Sequence, residues 1–476
     1  MPAGALLALA FPAPSLWWLA WFGVVPLLLV VRAAPTAVQG AVRAWAGMSG
    51  FVLAVQYWVW PFAGPLLVLL AAALGALWLP WGWAAHRLLG GQVTTRGVLA
   101  ATVVLPGAWV LAEAVRSWHR LGGPWALLGA SQWNQPATLA PASAGGVWLV
   151  SFLIVAANTA LAGVVLRRSI RAVALPAAIV AVGPAWFWLE PAPADEPATR
   201  VALVQPGDIT DGTARQAASE ALTRELAGQR LDLVVWGESS VDVDLDSDPE
   251  VAARLAELSR RVGAGLLVNV DARAASGGIY KSAVLVEPDG VQGTYAKSRL
   301  VPFGEYVPFR TVLGWATRHT DAAGEDRWRG GGPVVLHTGE LAVGPLISFE
   351  ALFSDLPRRL VDLGADLLAY QSATSSYQGS WAQPQLASLV AVHAVEVGHP
   401  AIHAATSGVS SAFDASGRRL GWLAAAERGV VVVDVPLSSR TTGYQRFGDW
   451  VIVVALLSFT AWCARSARRS WRDAPR

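Results

Sequence analysis

Residues 341–353 read L-A-V-G-P-L-I-S-F-E-A-L-F, an apolar run that stops abruptly on Ser348, Phe349 and Glu350. A short apolar run of this length reads as a buried strand. The mouth of such a strand is where an α/β enzyme presents a nucleophile. Two charged residues stand in similar settings: Glu238 after L-D-L-V-V-W, and Lys297 inside Y-A-K-S-R-L-V-P-F-G-E-Y-V-P. A carboxylate, an ammonium and a small nucleophile on three separate strand ends are the parts of a covalent catalytic site.

Around these residues, 199–436 has the composition of a soluble α/β domain. The runs V-A-L-V-Q, L-D-L-V-V-W, G-L-L-V-N-V, S-A-V-L-V-E, D-L-L-A-Y and G-V-V-V-V-D-V read as further strands. Helical periodicity falls on 214–228, 249–262, 356–363 and 383–397. Strand runs with no helix between them, across 265–287, predict that part of the sheet is antiparallel. Both faces should be covered, giving a layered sandwich. There is no G-x-G-x-x-G, P-loop or G-x-S-x-G motif.

The rest of the chain is far more apolar. Of 476 residues, 54% are hydrophobic and only 15% charged, which reads as membrane-embedded. Candidate spans lie at 1–11, 16–31, 41–60, 66–89, 98–115, 147–166, 172–189 and 450–464, each judged against the roughly 20 residues that cross a bilayer. They predict a seven-helix membrane domain over 1–190, a closing helix at 448–466 and a basic tail at 467–476. The first segment is short and lacks a basic start, so retention as a helix and removal as a signal peptide both stay open. Arg32 with Arg43, Arg87 with Arg96, the group Arg167, Arg168 and Arg171, and the tail arginines fall on alternate loops. By the positive-inside rule these face the cytoplasm, and 199–436 faces outward. A net charge of +2, with no basic face, gives no footing for nucleic acid. The single cysteine, Cys463, lies in the last apolar run and excludes an intrachain disulfide.

The sets V-V-W-G-E-S-S, Y-A-K-S-R-L-V-P-F-G-E-Y-V-P and L-I-S-F-E, with G-G-P-W-A-L-L-G-A-S-Q-W and L-V-Q-P-G-D-I, closely resemble the bacterial apolipoprotein N-acyltransferase family. The resemblance covers nearly the whole chain. It implies a multi-pass α-helical membrane domain plus an extracytoplasmic nitrilase-like αββα sandwich. It also implies acyl transfer from a phospholipid to the α-amino group of a lipoprotein's diacylglyceryl-cysteine, through a covalent intermediate, at the plasma membrane. By motif position Glu238 is the general base, Lys297 the oxyanion stabiliser and Glu305 the support of the charge network. Phe349 and Glu350 match a pair that shapes the acyl and head-group site. No cofactor or metal is implied, and the chain is expected to act as a monomer. Phe303, Tyr306, Phe309 and Trp315 are candidates to admit lipid chains.

The chain also departs from the family. The family's nucleophile is a cysteine, and Ser348 stands in its place. A serine hydroxyl is a far weaker acid than a thiol of pKa about 8.5, and a carboxylate of ordinary pKa about 4.3 is a poor base for it. Tyr280-Lys281 stands where the family usually has Tyr-Asn, Q-S-A-T-S-S-Y-Q-G-S-W replaces an Asn-Asp-x-Trp-Phe-like segment, and His393 replaces an arginine before Glu396. A turn that bears Asn in the family reads A-T-S-G-V-S here. The alternative reading is therefore a weakened or silent paralogue that binds lipid or lipoprotein, or scaffolds a partner. A small-amide amidase also fits this fold, but leaves the membrane part unexplained. Plainer readings stand beside each residue: Glu238 as a cap, Ser348 as a tolerated small residue in a turn, Glu350 as a turn cap. His393, His399 and His403 read as satisfied polar residues rather than a metal site.

Overall fold

The computed structural model describes residues 1–190, 197–273, 277–314 and 325–472. Trp315 and the end of the basic tail lie outside the described residues. Two compact units emerge: Met1–Gln132 with Pro136–Glu190 and Arg446–Arg476, and Trp133–Gln135 with Pro191–Gln445.

Among the described residues of the first unit, six helices are long and apolar enough to cross a membrane: Ala37–Val55, Leu66–Leu89, Thr95–Arg116, Ala142–Arg167, Ile170–Leu189 and Trp450–Arg468. Thr36 and Thr94 start two of them, each accepting a backbone N–H from three residues on. The span expected at 16–31 is a shorter apolar helix, Trp17–Arg32, and the one at 1–11 is two short turns, Pro2–Ala5 and Leu6–Ala10. The shorter helix is broken at Val24 by a side chain. Asn158 accepts from Val24 N at 2.9 Å and donates to Ala20 O at 2.8 Å, standing between two groups that a regular turn would join directly.

The second unit contains twelve strands among the described residues, in two six-stranded sheets. In chain order they are β1 (Ala198–Gln205), β2 (Leu233–Trp236), β3 (Gly265–Arg273), β4 (Ile279–Glu287), β5 (Gly290–Ala296) and β6 (Leu336–Thr338). They continue as β7 (Leu341–Ile347), β8 (Leu367–Ser372), β9 (Ala401–Ala405), β10 (Ser410–Phe413), β11 (Arg419–Leu423) and β12 (Gly429–Pro436). One sheet runs β12-β1-β2-β3-β4-β5 and the other β11-β10-β9-β8-β7-β6. Strands β1, β2 and β3 are parallel neighbours, as are β7, β8 and β9; the pairings toward both edges are antiparallel. Crossover helices Gly212–Arg224, Pro249–Val262, Asp355–Asp362 and Ala382–Val397 join the parallel strands.

Period-two alternation sorts the side chains. Val201, Leu203, Leu233 and Val235 face the second sheet, against Val343, Ile347, Leu367, Ala369 and Ile402. Their neighbours Ala202, Val204, Val234 and Trp236 turn outward, onto Leu255, Leu258 and Val262 of the helix Pro249–Val262. The result is a four-layer αββα sandwich. Pro345 inside β7 is tolerated because β6 pairs only with Leu341–Val343, so the proline lies where β7 has lost its neighbour on that edge.

Candidate active site

Glu238, two residues beyond β2, is 3% exposed, and both of its carboxylate oxygens accept hydrogen bonds. Its Oε1 accepts from Lys281 Nζ at 2.9 Å and lies 3.5 Å from Lys297 Nζ, and its Oε2 accepts from Ala373 N at 3.0 Å. Gly237 makes this possible: a Cβ there would overlap the backbone nitrogen of Thr406. Thr406 donates its hydroxyl to the Glu238 carbonyl at 2.7 Å. Lys297, just past β5 and 1% exposed, donates to Glu305 Oε1 at 2.7 Å, and Glu305 Oε2 accepts from Val301 N at 2.8 Å. Lys281, on β4, also lies 3.2 Å from Asp271 of β3, which Arg327 approaches at 3.3 Å. The charges therefore alternate from the interior outward: Glu305, Lys297, Glu238, Lys281, Asp271, Arg327.

This alternation settles the ionisation. Burial alone would raise the Glu238 carboxyl, but the Lys281 and Lys297 ammonium groups outweigh it and hold Glu238 down at about 2. Burial would likewise strip Lys281 of its proton, yet the carboxylates of Glu238, Asp271 and Glu305 hold it above the ordinary lysine value.

Ser348 begins a turn directly after β7. It has φ 51, in the left-handed region that a non-glycine residue rarely occupies, a strain characteristic of functional turns. Ser239, beside Glu238, shares it at φ 55. The register Ile347↔Gln371 sets Ser348 alongside Ser372, one residue before the N–H that binds Glu238. The Ser348 hydroxyl is half-buried and makes no hydrogen bond among the described residues.

Glu350 holds the turn in place. Its Oε2 accepts from Ile347 N at 2.9 Å. Its Oε1 accepts from Tyr295 Oη at 2.7 Å, Ser298 N and Oγ at 2.8 Å each, and Arg299 N at 2.9 Å. One buried carboxylate thus ties the residues that follow Lys297 to the turn that carries Ser348. Phe349 is buried edge-on against Phe353, with centroids 5.0 Å apart. From the helix Ala382–Val397, His393 Nε2 donates to Ala351 O at 2.9 Å while Nδ1 meets Glu396 Oε2 at 2.8 Å.

A family model for the N-terminal domain of apolipoprotein N-acyltransferase matches residues 3–160, and one for carbon-nitrogen hydrolases matches residues 200–444. A Geobacter metallireducens apolipoprotein N-acyltransferase is 31% identical over 96% of this chain and 94% of its own length. One from Azotobacter vinelandii is 30% identical over 100% and 96%. The chain belongs to the apolipoprotein N-acyltransferase family. Among solved structures, a carbon-nitrogen hydrolase superfamily protein from Xanthomonas campestris aligns over 51% of this chain and 91% of its own, at 19% identity and a TM-score of 0.40.

For this apolipoprotein N-acyltransferase relative, the structure brings Glu238, Lys297 and Glu305 into one ion cluster and places Ser348 on a strained turn. It sets Phe349 and Glu350 into that turn's support. Phe303 and Phe309 are exposed, with φ 64 and 48, on the loop after Lys297. Tyr306 lies under the Arg329 guanidinium, 5.0 Å from its ring. His393 and His403 lie apart in role: His403 Nε2 shares a 2.7 Å hydrogen bond with Ser372 Oγ. No group of three or more metal-ligating side chains occurs among the described residues. Sequence reasoning noted Lys281 only as a departure from the family and passed over Asp271. Only the fold connects them: the register Asp271↔Lys281 sets opposite charges directly across two neighbouring strands.

Proposed function

We propose that this protein transfers an acyl chain from a membrane phospholipid to the α-amino group of a diacylglyceryl-cysteine at a lipoprotein's N-terminus, with Ser348 as nucleophile. The observation that carries this reading is the buried Glu238–Lys297–Glu305 cluster beside a strained turn, in a chain whose family is defined by this reaction. In the first half-reaction the Ser348 oxygen attacks the donor's ester carbonyl while Glu238 takes the hydroxyl proton. The Lys297 ammonium stabilises the oxyanion of the tetrahedral intermediate. Collapse breaks the ester bond, and the proton leaves with the lysophospholipid alcohol, giving an oxyester on Ser348. The acceptor amine then attacks that oxyester, an amide forms, and Ser348 recovers its proton. Glu305 holds Lys297 in place; Phe349 and Glu350 position the turn.

The same reading holds the domain over 199–436 outside the plasma membrane, with the helices of 1–190 and 448–466 in that membrane. The basic tail from 467 lies in the cytoplasm, and the protein acts as a monomer without a cofactor. Phe303 and Phe309, exposed on the loop that follows Lys297, suit contact with acyl chains.

One observation favours a second reading, a silent paralogue that binds lipid or lipoprotein: Glu238 is held near 2 by two cations, which leaves it a weak base for a serine. N-acylation of a diacylglyceryl-cysteine peptide in phospholipid micelles, followed by mass spectrometry, separates the two. Activity in the wild type that vanishes in Ser348→Ala supports the enzyme. Activity only in Ser348→Cys supports the silent paralogue.

A further inference from the structure

The Ser348 site carries a second lysine that the reaction scheme above does not use. Lys281 Nζ donates to Glu238 Oε1 at 2.9 Å and to Ser239 Oγ at 3.1 Å, and its third neighbour is Asp271 Oδ2 at 3.2 Å. It is closer to Glu238 than Lys297 is, at 3.5 Å. Lys297 instead leans on Glu305, at 2.7 Å. Lys281 is therefore the main cation of Glu238, and its side chain, 12% exposed, lies on the solvent side of it.

We propose that Lys281 is a positioning residue of this reaction: it pins the Glu238 carboxylate between two cations and so sets how strongly Glu238 can draw the Ser348 proton. The inference rests on Glu238 being the base. Two separate observations support it. Both Glu238 oxygens already accept a hydrogen bond, Oε1 from Lys281 and Oε2 from Ala373 N, so the carboxylate is held in one orientation, with Oε2 keeping a free lone pair for a proton. The cross-strand pair Asp271↔Lys281, braced by Arg327, keeps Lys281 from turning away. The charged and titratable groups facing Glu238 are Lys281 on β4, Asp271 on β3, Lys297 after β5, Glu305 and Arg327 from the loops, Tyr377 after β8 and His403 on β9. Of these, Lys281 makes the shortest charged contact. A cation so placed lowers the basicity of a carboxylate, so relieving it strengthens the base.

The test uses the full-length protein in phospholipid micelles as wild type, Lys281→Met and Lys281→Arg. Methionine keeps the length and removes the charge; arginine keeps the charge. Three readouts are followed against pH: kcat/KM for N-acylation, the rate at which a lipid fluorophosphonate labels Ser348, and the infrared carboxylate band assigned with Glu238→Gln. The expected result is an acid limb that moves up by roughly one to three pH units in Lys281→Met, in all three readouts, and stays at the wild-type position in Lys281→Arg. An unmoved limb in Lys281→Met, or an equal shift in Lys281→Arg, overturns the proposal. If the wild type neither acylates nor labels, the acyltransferase reading fails and the Lys281 proposal, which rests on it, falls with it whatever the infrared titration shows. If the wild type acylates and the Glu238 titration does not move, the acyltransferase stands and the Lys281 proposal falls.

Discussion

The ion cluster around Glu238 and the turn that carries Ser348 lie side by side and are built on opposite principles. The cluster is held by charge: six alternating ionised groups, with Lys297 and Glu238 nearly sealed from water. The turn is held by directed hydrogen bonds, several accepted by one carboxylate, Glu350, and one donated by an imidazole, His393, which leave the Ser348 hydroxyl uncommitted. Charge of this kind is costly to unbalance, because removing one member strands another in low dielectric. A turn fixed by many hydrogen bonds tolerates changes of pH and transmits small displacements to the group it carries. Substitutions in the cluster should therefore alter ionisation, and substitutions in the turn should alter geometry.

The largest expected effect is in the cluster. Lys297→Met leaves Glu305 buried against no cation; it should cost about 3–5 kcal/mol of stability and lower acyl transfer on the order of 10²–10³-fold. Chemical denaturation and the N-acylation assay measure both, and an active, stable Lys297→Met would break the distinction. In the turn, Glu350→Gln replaces an oxygen acceptor with an amide nitrogen facing N–H donors. A loss of about 1–3 kcal/mol and a lower kcat are expected, with the pH profile unchanged. A shifted profile would show that Glu350 belongs to the charge network after all.

Acid titration sharpens the comparison further. The Glu238 pKa is depressed on folding, from 4.5 to about 2. Its contribution to stability is complete above about pH 4.5 and is lost as pH falls toward 2. The stability gap between wild type and Glu238→Gln should narrow across that window in thermal unfolding. His403 follows the same sign by a different cause: burial holds it neutral, with its pKa lowered from 6.5 to about 4. The unfolded chain takes up that proton first, so stability drains away from pH 6.5 toward 4. His403→Gln should flatten this part of the profile, in a higher pH window than the Glu238 effect, and an unchanged slope would contradict it.

Much of this was legible in the sequence, for physical reasons that differ by element. The strands β1, β2, β3, β4, β7 and β8 are largely buried and rich in branched residues, as is the sequence of the half-buried edge strand β12, so their apolar runs stand out. The helix at Pro249–Val262 announces itself by its proline start and glycine stop. By contrast β5, G-V-Q-G-T-Y-A, and β11, R-L-G-W-L, are polar or glycine-bearing edge elements. Strands β9 and β10 are buried but short, A-I-H-A-A and S-S-A-F, and alanine and serine give no strand signal. In the site, Glu238, Lys297 and Glu305 were found because each sits in a distinctive motif. The turn-holding role of Glu350 needed the fold, since its donors Tyr295 and Ser298 are more than fifty residues away. Lys281 was visible as a charge in a strand, but only the register with Asp271 and the proximity of Glu238 turn it into part of the site.

The most direct test of the central claim is to trap the acyl-enzyme. Purified protein is incubated with a phospholipid of defined acyl chain without acceptor, digested, and examined by mass spectrometry. One acyl chain on the peptide bearing Ser348, released by hydroxylamine and absent in Ser348→Ala, is the result expected of a serine acyltransferase. An unmodified Ser348 peptide, or an acyl chain on another residue, would contradict it.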